Sequence, residues 1–368
     1  WRSAPINRSA NSISEIVRKL NTSLASCIQN LPRCLLAFSE FTAKAQSVMT
    51  ALRYFSLGRF AMRDALLYTG IKSGDTVLLP EFICRDLLSA VAEVGAKSVF
   101  YQVDQTLKPV HLDSTLRPKV IIAVNYFGFA QDLKVFREFA DNTGAIVIED
   151  NAHGFLSRDE DGHLLGYREK FGITSFRKTL NVENGAFLAT SLAEHELKEQ
   201  LPYIDSSKPG RSKLLQLLLK FEARTNIPMV AVGRFFSRMF RFITTGSQLP
   251  KSDKFAETKI PGLPNPQSQS IDSLKNLDET AEVARRRNLY LRVQPQVIAA
   301  GATPVFDALL ANTCPYGMPI YANRNIKRKL SKIARKNRVI LMTWPDLPEN
   351  VLPSAPDFYK QVWLLNFK

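Results

Sequence analysis

A chain of 368 residues that is 45% hydrophobic can bury a large core, and its length points to two domains rather than one. A formal net charge of +15 points to anionic partners such as phosphorylated small molecules or a membrane surface, or to a solvated basic surface with no partner; without zinc-finger spacing or an RNA-binding aromatic signature, nucleic acid is set aside. Four scattered cysteines (Cys27, Cys34, Cys84, Cys314) with no CxxC pair argue against a disulfide framework and a zinc site; the simplest compartment is the reducing cytoplasm, and no apolar run is long enough to span a membrane.

Residues 1–50 read as helical and irregular, with apolar residues three and four apart over Ile13–Leu24 and Leu35–Leu52. From Ser56 the pattern changes. Ser56-Leu57-Gly58-Arg59-Phe60-Ala61 leads into a helical stretch that ends near Tyr68. A glycine lets backbone approach a ligand, and the free amides that open a helix bind phosphate. Gly58, Arg59 and Phe60 are candidates on that ground, against the plain alternative of a loop glycine before a helix. Lys72-Ser73-Gly74-Asp75 is a turn, and Thr76–Leu79 a short buried strand closed by Pro80. Phe82, just beyond, reads first as a core aromatic.

Asp86–Val94 reads as a helix, Ser98–Tyr101 and Val120–Val124 as strands, and Asp132–Asn142 as an amphipathic helix. Such alternation predicts βαβ units and a parallel sheet. Ligands of such sheets bind outside the carboxyl ends of the strands. Gly58, Asn125 and Asp150 all fall there. Asn125 and Tyr126, in the turn Asn125-Tyr126-Phe127-Gly128, either reach a ligand or only close the loop.

The next apolar run, Ala145–Ile148, ends in Glu149-Asp150. Strand side chains alternate, so Glu149 faces away from Asp150. A polar loop with His153 follows, then Phe171–Phe176, which delivers Arg177-Lys178. An acid ending one buried strand and a lysine just past another can face each other across a crevice. Pyridoxal phosphate (PLP) chemistry needs that pair: a lysine to hold the aldehyde as a Schiff base, and an Asp on the ring nitrogen. Lys170 is a nearby competitor; Lys178 is preferred because it follows the apolar strand and precedes Thr179-Leu180 and a glycine.

Leu192–Glu199 and Lys213–Glu222 read as helices. Val230–Ile243 sets Arg234, Arg238 and Arg241 among phenylalanines, a pattern for a membrane surface or, preferred here, a half-buried packing helix. Gly246–Ser270 reads as a long loop, Ile271–Ala300 as one long helix and Asn325–Asn337 as a basic helix. There is no internal repeat.

Two motifs carry a resemblance. Ile148-Glu149-Asp150-Asn151-Ala152-His153 resembles the acidic motif of the DegT/StrS-type sugar aminotransferases, a branch of the fold-type-I PLP enzymes. Ser175-Phe176-Arg177-Lys178-Thr179-Leu180, followed by Asn184-Gly185, resembles that family's lysine motif with two residues fewer between phenylalanine and lysine. The likeness runs from about Ser56 through Thr190 and from near Arg285 to the end. It implies an α/β fold with a mostly parallel sheet flanked by helices and a smaller C-terminal α+β domain. The implied division is an N-terminal arm (1–50), a large PLP-binding domain (51–270, divergent over 201–270) and a small domain (271–368).

The resemblance also implies roles. Gly58, Arg59 and Phe60 cradle the cofactor phosphate, with Ser175 beside them. Cys84 falls at the ring-stacking position, with Phe82 nearby. Asn125 lies close to cofactor and substrate, and His153 contacts the ring oxygen. Asp150 pairs with the pyridinium nitrogen. Lys178 is the Schiff-base residue and proton shuttle. No metal is implied. Arg285-Arg286-Arg287-Asn288 resembles the helix between the domains, Cys314–Pro319 the opening strand of the small domain, and Trp344–Pro348 a substrate loop. The implied activity moves an amino group from an amino acid such as glutamate to a keto-sugar on a nucleotide diphosphate, in a homodimer. Two alternatives stand beside it: a fold-type-I reaction on a non-sugar amine or ketone, and a non-catalytic basic membrane-surface protein on the same fold.

Overall fold

The computed structural model describes residues 51–205 and 255–368. The expected helices at Ile13–Leu24, Lys213–Glu222 and Val230–Ile243 lie outside the described residues. Short apolar runs become the strands β1 (Ala51–Phe55), β2 (Thr76–Pro80), β3 (Lys97–Tyr101), β4 (Val120–Val124), β5 (Ile146–Asn151), β6 (Phe171–Thr174) and β7 (Ala186–Thr190). They form one sheet in the order β1-β7-β6-β5-β4-β2-β3. Only β7 runs against its neighbours; the others share one direction. β4 is apolar and buried at every position, as a strand covered on both faces must be.

The covering helices are α1 (Gly58–Tyr68), α2 (Leu88–Glu93), α3 (Lys134–Thr143) and the single turn α4 (Phe176–Thr179). Gly144 ends α3 in the left-handed region at φ 76°, where a glycine carries no Cβ penalty. The C-terminal part comprises α5 (Ser268–Lys275), α6 (Glu279–Ala299), β8 (Thr303–Pro304), β9 (Gly317–Tyr321), α7 (Lys327–Lys336), β10 (Ile340–Thr343) and β11 (Val362–Asn366). Its four strands form a second, wholly antiparallel sheet in the order β10-β11-β9-β8. This is the α/β architecture with a smaller C-terminal sheet that the sequence implied. Buried side chains run without a break from the large sheet through Tyr290, Val293 and Val297 of α6 to Met318, Ile320 and Leu364 of the small sheet. No helix among the described residues is long and apolar enough to cross a membrane.

Three expected elements are corrected. Ala51 and Leu52, read as the end of a helix, open β1, because their backbone pairs with Thr190 and Ala189 of β7. Leu192–Glu199 holds only the single 3₁₀ turn Glu194–Glu196. Its polar groups are engaged elsewhere: Arg53 donates to the Lys198 carbonyl (2.9 Å), and the Lys198 amide donates to the Tyr68 hydroxyl (2.9 Å). The long helix expected over Ile271–Ala300 is two, α5 and α6. Asp278 restarts the chain by accepting the Ala281 amide, as a helix N-cap does.

Candidate active site

The sheet's direction decides where chemistry can occur. β1, β2, β4, β5 and β6 all end on one edge, so the residues just beyond them collect there. Asp150 lies in β5 beside Ile173 of β6, with Ser175 and α4 directly after that strand. The turn of α4 is held from both sides. The Arg177 amide donates to the Gly185 carbonyl (3.0 Å) and the Lys178 amide to the Ser175 carbonyl (3.1 Å). Gly185 sits at φ 136° directly against the Phe176 ring, where any Cβ would overlap that ring.

The Lys178 amine lies 3.0 Å from Nε2 of His153. The His153 ring is sandwiched between Tyr316 (centroids 4.7 Å apart, planes at 6°) and Phe127 (5.5 Å, 14°). Trp344 meets the same ring edge-on at 5.2 Å. Phe127 is in the left-handed region at φ 56°, and its carbonyl accepts the Tyr316 amide (2.8 Å). Left-handed backbone at a non-glycine residue is held only where its surroundings dictate it. Here those surroundings are the aromatic stack.

Electrostatics sets the protonation of the group. Burial pulls the Lys178 amine below its ordinary 10.5; Arg177 pulls the same way, while Cys84, Asp150 and Asp86 oppose it. Burial also drives His153 well below 6.5, helped by Lys178, so its ring is neutral. Burial pushes the Asp150 carboxyl above 3.8, against the Ala152 amide that donates to it (2.9 Å) and against Lys178. An amine that burial makes easier to deprotonate, a neutral imidazole and a reluctantly charged acid share one buried pocket of protein.

Beside them is a donor set without acceptors. The Ser175 Oγ and the Arg177 Nε are buried and make no hydrogen bond among the described residues. Gly58 opens α1 against Ser175: a Cβ built on it would lie 3.7 Å from the Ser175 Cβ. The first amides of a helix have no intrahelical acceptor. Arg59 is close enough to Arg177 to add to the lowering of its pKa, and it pairs with Asp86 (3.5 Å). The unpaired Ser175 hydroxyl, the Arg59 and Arg177 guanidinium groups and a helix N-terminus form a binding set for a phosphate-sized anion.

The structure therefore gathers Gly58, Arg59, Asp150, His153, Ser175 and Lys178. Cys84 is half-buried, with burial pushing its thiol pKa up and Lys178 within electrostatic reach. Phe60 does not join them. Its side chain is buried in the core, and its amide already donates to the Leu57 carbonyl (3.1 Å). Nor does the Asn125 side chain. It donates to Glu149 (2.8 Å) and accepts from Arg168 (3.0 Å) on the strand face opposite Asp150. Phe82 is a core aromatic packed on Tyr126, Trp344 and Tyr359. Phe127, Tyr316 and Arg177 were missed as site residues. All three sit inside stretches that the sequence reading singled out, but Phe127 and Tyr316 come together around His153 only because the second sheet brings Tyr316 there. Trp344, from the expected substrate loop, does reach the site.

The model of the DegT/DnrJ/EryC1/StrS aminotransferase family matches residues 37–212. The match makes the chain similar, over just under half of its length, to this family. Its enzymes are fold-type-I proteins that use PLP. The UDP-4-amino-4-deoxy-L-arabinose–oxoglutarate aminotransferase of Shewanella sediminis is 32% identical over 133 residues, 34% of this chain and 34% of that protein. The L-glutamine:2-deoxy-scyllo-inosose aminotransferase of Streptomyces kanamyceticus is 28% identical over 156 residues, 40% of this chain and 36% of that protein. The chain thus matches these relatives over only about a third of their length. Among solved structures, Helicobacter pylori PseC, an aminotransferase of pseudoaminic acid biosynthesis, superposes with a TM-score of 0.59 at 15% identity, covering 90% of this chain and 85% of that one. At that identity the likeness shows the fold.

Proposed function

We propose that this protein is a PLP-dependent aminotransferase that moves an amino group from an amino-acid donor, glutamate in the simplest case, to a keto-sugar carried on a nucleotide diphosphate. One observation carries the reading: Lys178, His153 and Asp150 meet at the carboxyl edge of the sheet, beside two buried donors with no acceptor. The orphaned Ser175 hydroxyl and Arg177 Nε, with the α1 amides at Gly58 and Arg59, fit a cofactor phosphate. The buried Asp150 fits a ring nitrogen, and Phe127 and Tyr316 belong to an apolar aromatic wall. When bound, PLP supplies an electron sink that labilises the bond at the substrate carbon.

The chain's own residues do the rest. The Lys178 amine, whose charged form burial disfavours, loses its proton more readily than a free lysine and so is the better nucleophile, and once freed it carries a proton between donor and acceptor positions. Asp150 keeps its partner nitrogen charged. Neutral His153 fixes the Lys178 amine by the 3.0 Å contact, and its own ring is fixed by the stack. Trp344 covers the group and limits water. By the same reading the protein is a homodimer, which light scattering measures.

The test is borohydride reduction of the protein with added PLP, followed by peptide mapping, beside an amino-transfer assay on nucleotide-linked keto-sugars. The label is expected on Lys178; a label on another lysine, or none, overturns the assignment. Two relatives are named for inosose substrates. They motivate a second acceptor class, a carbocyclic ketone without a nucleotide. Turnover of that class with none of the nucleotide sugars would replace the first.

A further inference from the structure

Tyr316 is fixed at both its ring and its backbone. The ring lies on His153 with centroids 4.7 Å apart, the amide donates to the Phe127 carbonyl (2.8 Å), and the carbonyl accepts from Arg286 (3.1 Å). Its hydroxyl meets the neighbouring strand. Tyr316 directly precedes β9, and Asn366, at the end of β11, pairs with Gly317 at the start of β9. The Asn366 Nδ2 lies 2.8 Å from the Tyr316 hydroxyl oxygen.

A carboxamide has a donor end and an acceptor end, and its partners decide which way it faces. The Lys368 backbone amide can only donate, and it lies 2.9 Å from one end of the Asn366 side chain, which is therefore the oxygen. The end towards Tyr316 is the NH2 group, which can only donate. The Tyr316 oxygen accepts that bond, so its own hydrogen is left for another acceptor. Among the described residues it has none. Burial raises the pKa of the phenol above its ordinary 10.0, with Asn366, Arg177 and Arg286 opposing, so the hydrogen stays on the oxygen at neutral pH.

The same corner holds cations. Lys368, whose amide orients Asn366, donates from its amine to the Arg177 carbonyl (2.8 Å), which ties the end of β11 to the lysine turn α4. Arg177 is within electrostatic reach of both Tyr316 and Arg59. Tyr316 and Asn366 are only 8% and 6% exposed. A buried O–H group with no acceptor, beside two guanidinium groups, is a donor suited to an anionic oxygen.

We propose that Tyr316 is a binding residue of the anion site, its hydroxyl donating to a phosphoryl oxygen, and that Asn366 is the positioning residue that turns the hydrogen towards it. The inference rests on the transamination reading for the source of the phosphoryl group, which is either the cofactor's phosphate or the diphosphate of a nucleotide-linked acceptor. The chemistry asked of Tyr316 is the same for both.

The test compares the parent with Tyr316→Phe, which keeps the ring and loses only the hydroxyl, and with Asn366→Leu, which keeps the hydroxyl and loses its guide. Affinity for inorganic phosphate is read in the cofactor-free chain as stabilisation beyond that of matched chloride. Affinity for PLP is read by absorbance, and affinity for UDP by calorimetry on the PLP-loaded chain. A lost hydrogen bond to a charged oxygen should weaken binding in Tyr316→Phe about ten- to a hundredfold. Loss for phosphate and PLP assigns the hydroxyl to the cofactor, and loss for UDP alone assigns it to the acceptor; either supports the proposal. Asn366→Leu should lose part of the same affinity, yet cost no further affinity in the Tyr316→Phe background, because it acts only through the hydroxyl. A merely structural Asn366 would weaken binding in both backgrounds, and that result overturns its positioning role. If one single variant gives no cooperative melt, the other decides. Parental affinity of Tyr316→Phe for all three ligands overturns the proposal; if Ser175→Val still weakens phosphate in that case, the anion site survives without Tyr316. A borohydride label on a lysine other than Lys178 overturns the transamination reading alone, and weaker phosphate binding by Tyr316→Phe would still place the hydroxyl at an anion.

Discussion

At the scale of single residues, the site stores its reactivity as burial. The fold withholds water from Lys178 and so disfavours its charged form, and the nucleophilic form persists to lower pH than in a free lysine. Capture of an aldehyde by Lys178 should therefore rise with pH through a midpoint below 10.5, read by the absorbance of protein mixed with PLP. The same shift is a stability statement. Between the lowered folded value and 10.5 the unfolded chain holds more protons, so stability climbs with pH through that window. Lys178→Met should remove the climb and lower transamination by more than about a thousandfold. Asp150 has the opposite sign. Above 3.8 and up to its raised folded value the folded state holds more protons, so stability declines as pH rises there. Asp150→Asn is expected to raise the melting temperature at neutral pH while abolishing turnover. That Asp150, His153, Ser175 and Lys178 meet was readable from where each falls relative to a strand end. Which way Asn125 turns was not, because the Glu149–Arg168 ion pair (2.7 Å) that claims it closes only in the fold.

At the scale of elements, one turn and one buried cation decide where the lysine points. The turn is α4, whose Phe176 ring lies on Gly185. Gly185→Ala must displace that ring and strain a backbone at φ 136°, so it should cost about 2–3 kcal/mol and disturb cofactor capture together with stability. The cation is Arg286 of α6, wholly buried and paired with Glu282 (2.7 Å). It donates to the carbonyls of Pro315 (3.2 Å), Tyr316 (3.1 Å) and Thr179. One side chain thus ties the helix between the sheets to the lysine turn and to the stacking tyrosine just before β9. Arg286→Leu leaves Glu282 and three carbonyls short of a donor and should cost about 3–5 kcal/mol in denaturant unfolding. The sequence showed an Arg-Arg-Arg run here, not which arginine points inward. Periodicity likewise could not reveal that Leu192–Glu199 is claimed by Arg53 and Tyr68, or that Asp278 divides a helical pattern.

For the molecule as a whole, alternating apolar runs and helices specify the large sheet almost directly, whereas the aromatic stack needs Phe127 and His153 from one sheet and Tyr316 and Trp344 from beside the other. Chain order alone does not bring such distant segments together. The charge of +15 acts at this scale as well. Like charges crowded on a folded surface destabilise it, and any salt relieves part of that repulsion. Chloride and phosphate at equal ionic strength should therefore both raise the melting temperature, through screening. Phosphate should raise it further, because an anion bound to the folded state adds RT ln(1 + [L]/Kd), about 1.4 kcal/mol at ten times its Kd. The two effects are separable by position. Ser175→Val removes a buried hydroxyl that has no partner and leaves net charge untouched, so the chloride response should persist while the phosphate excess shrinks. If Ser175→Val and the parent gain equally from phosphate over chloride, the anion binds elsewhere on this basic surface, and the α1 N-terminus loses its claim to the cofactor's phosphate.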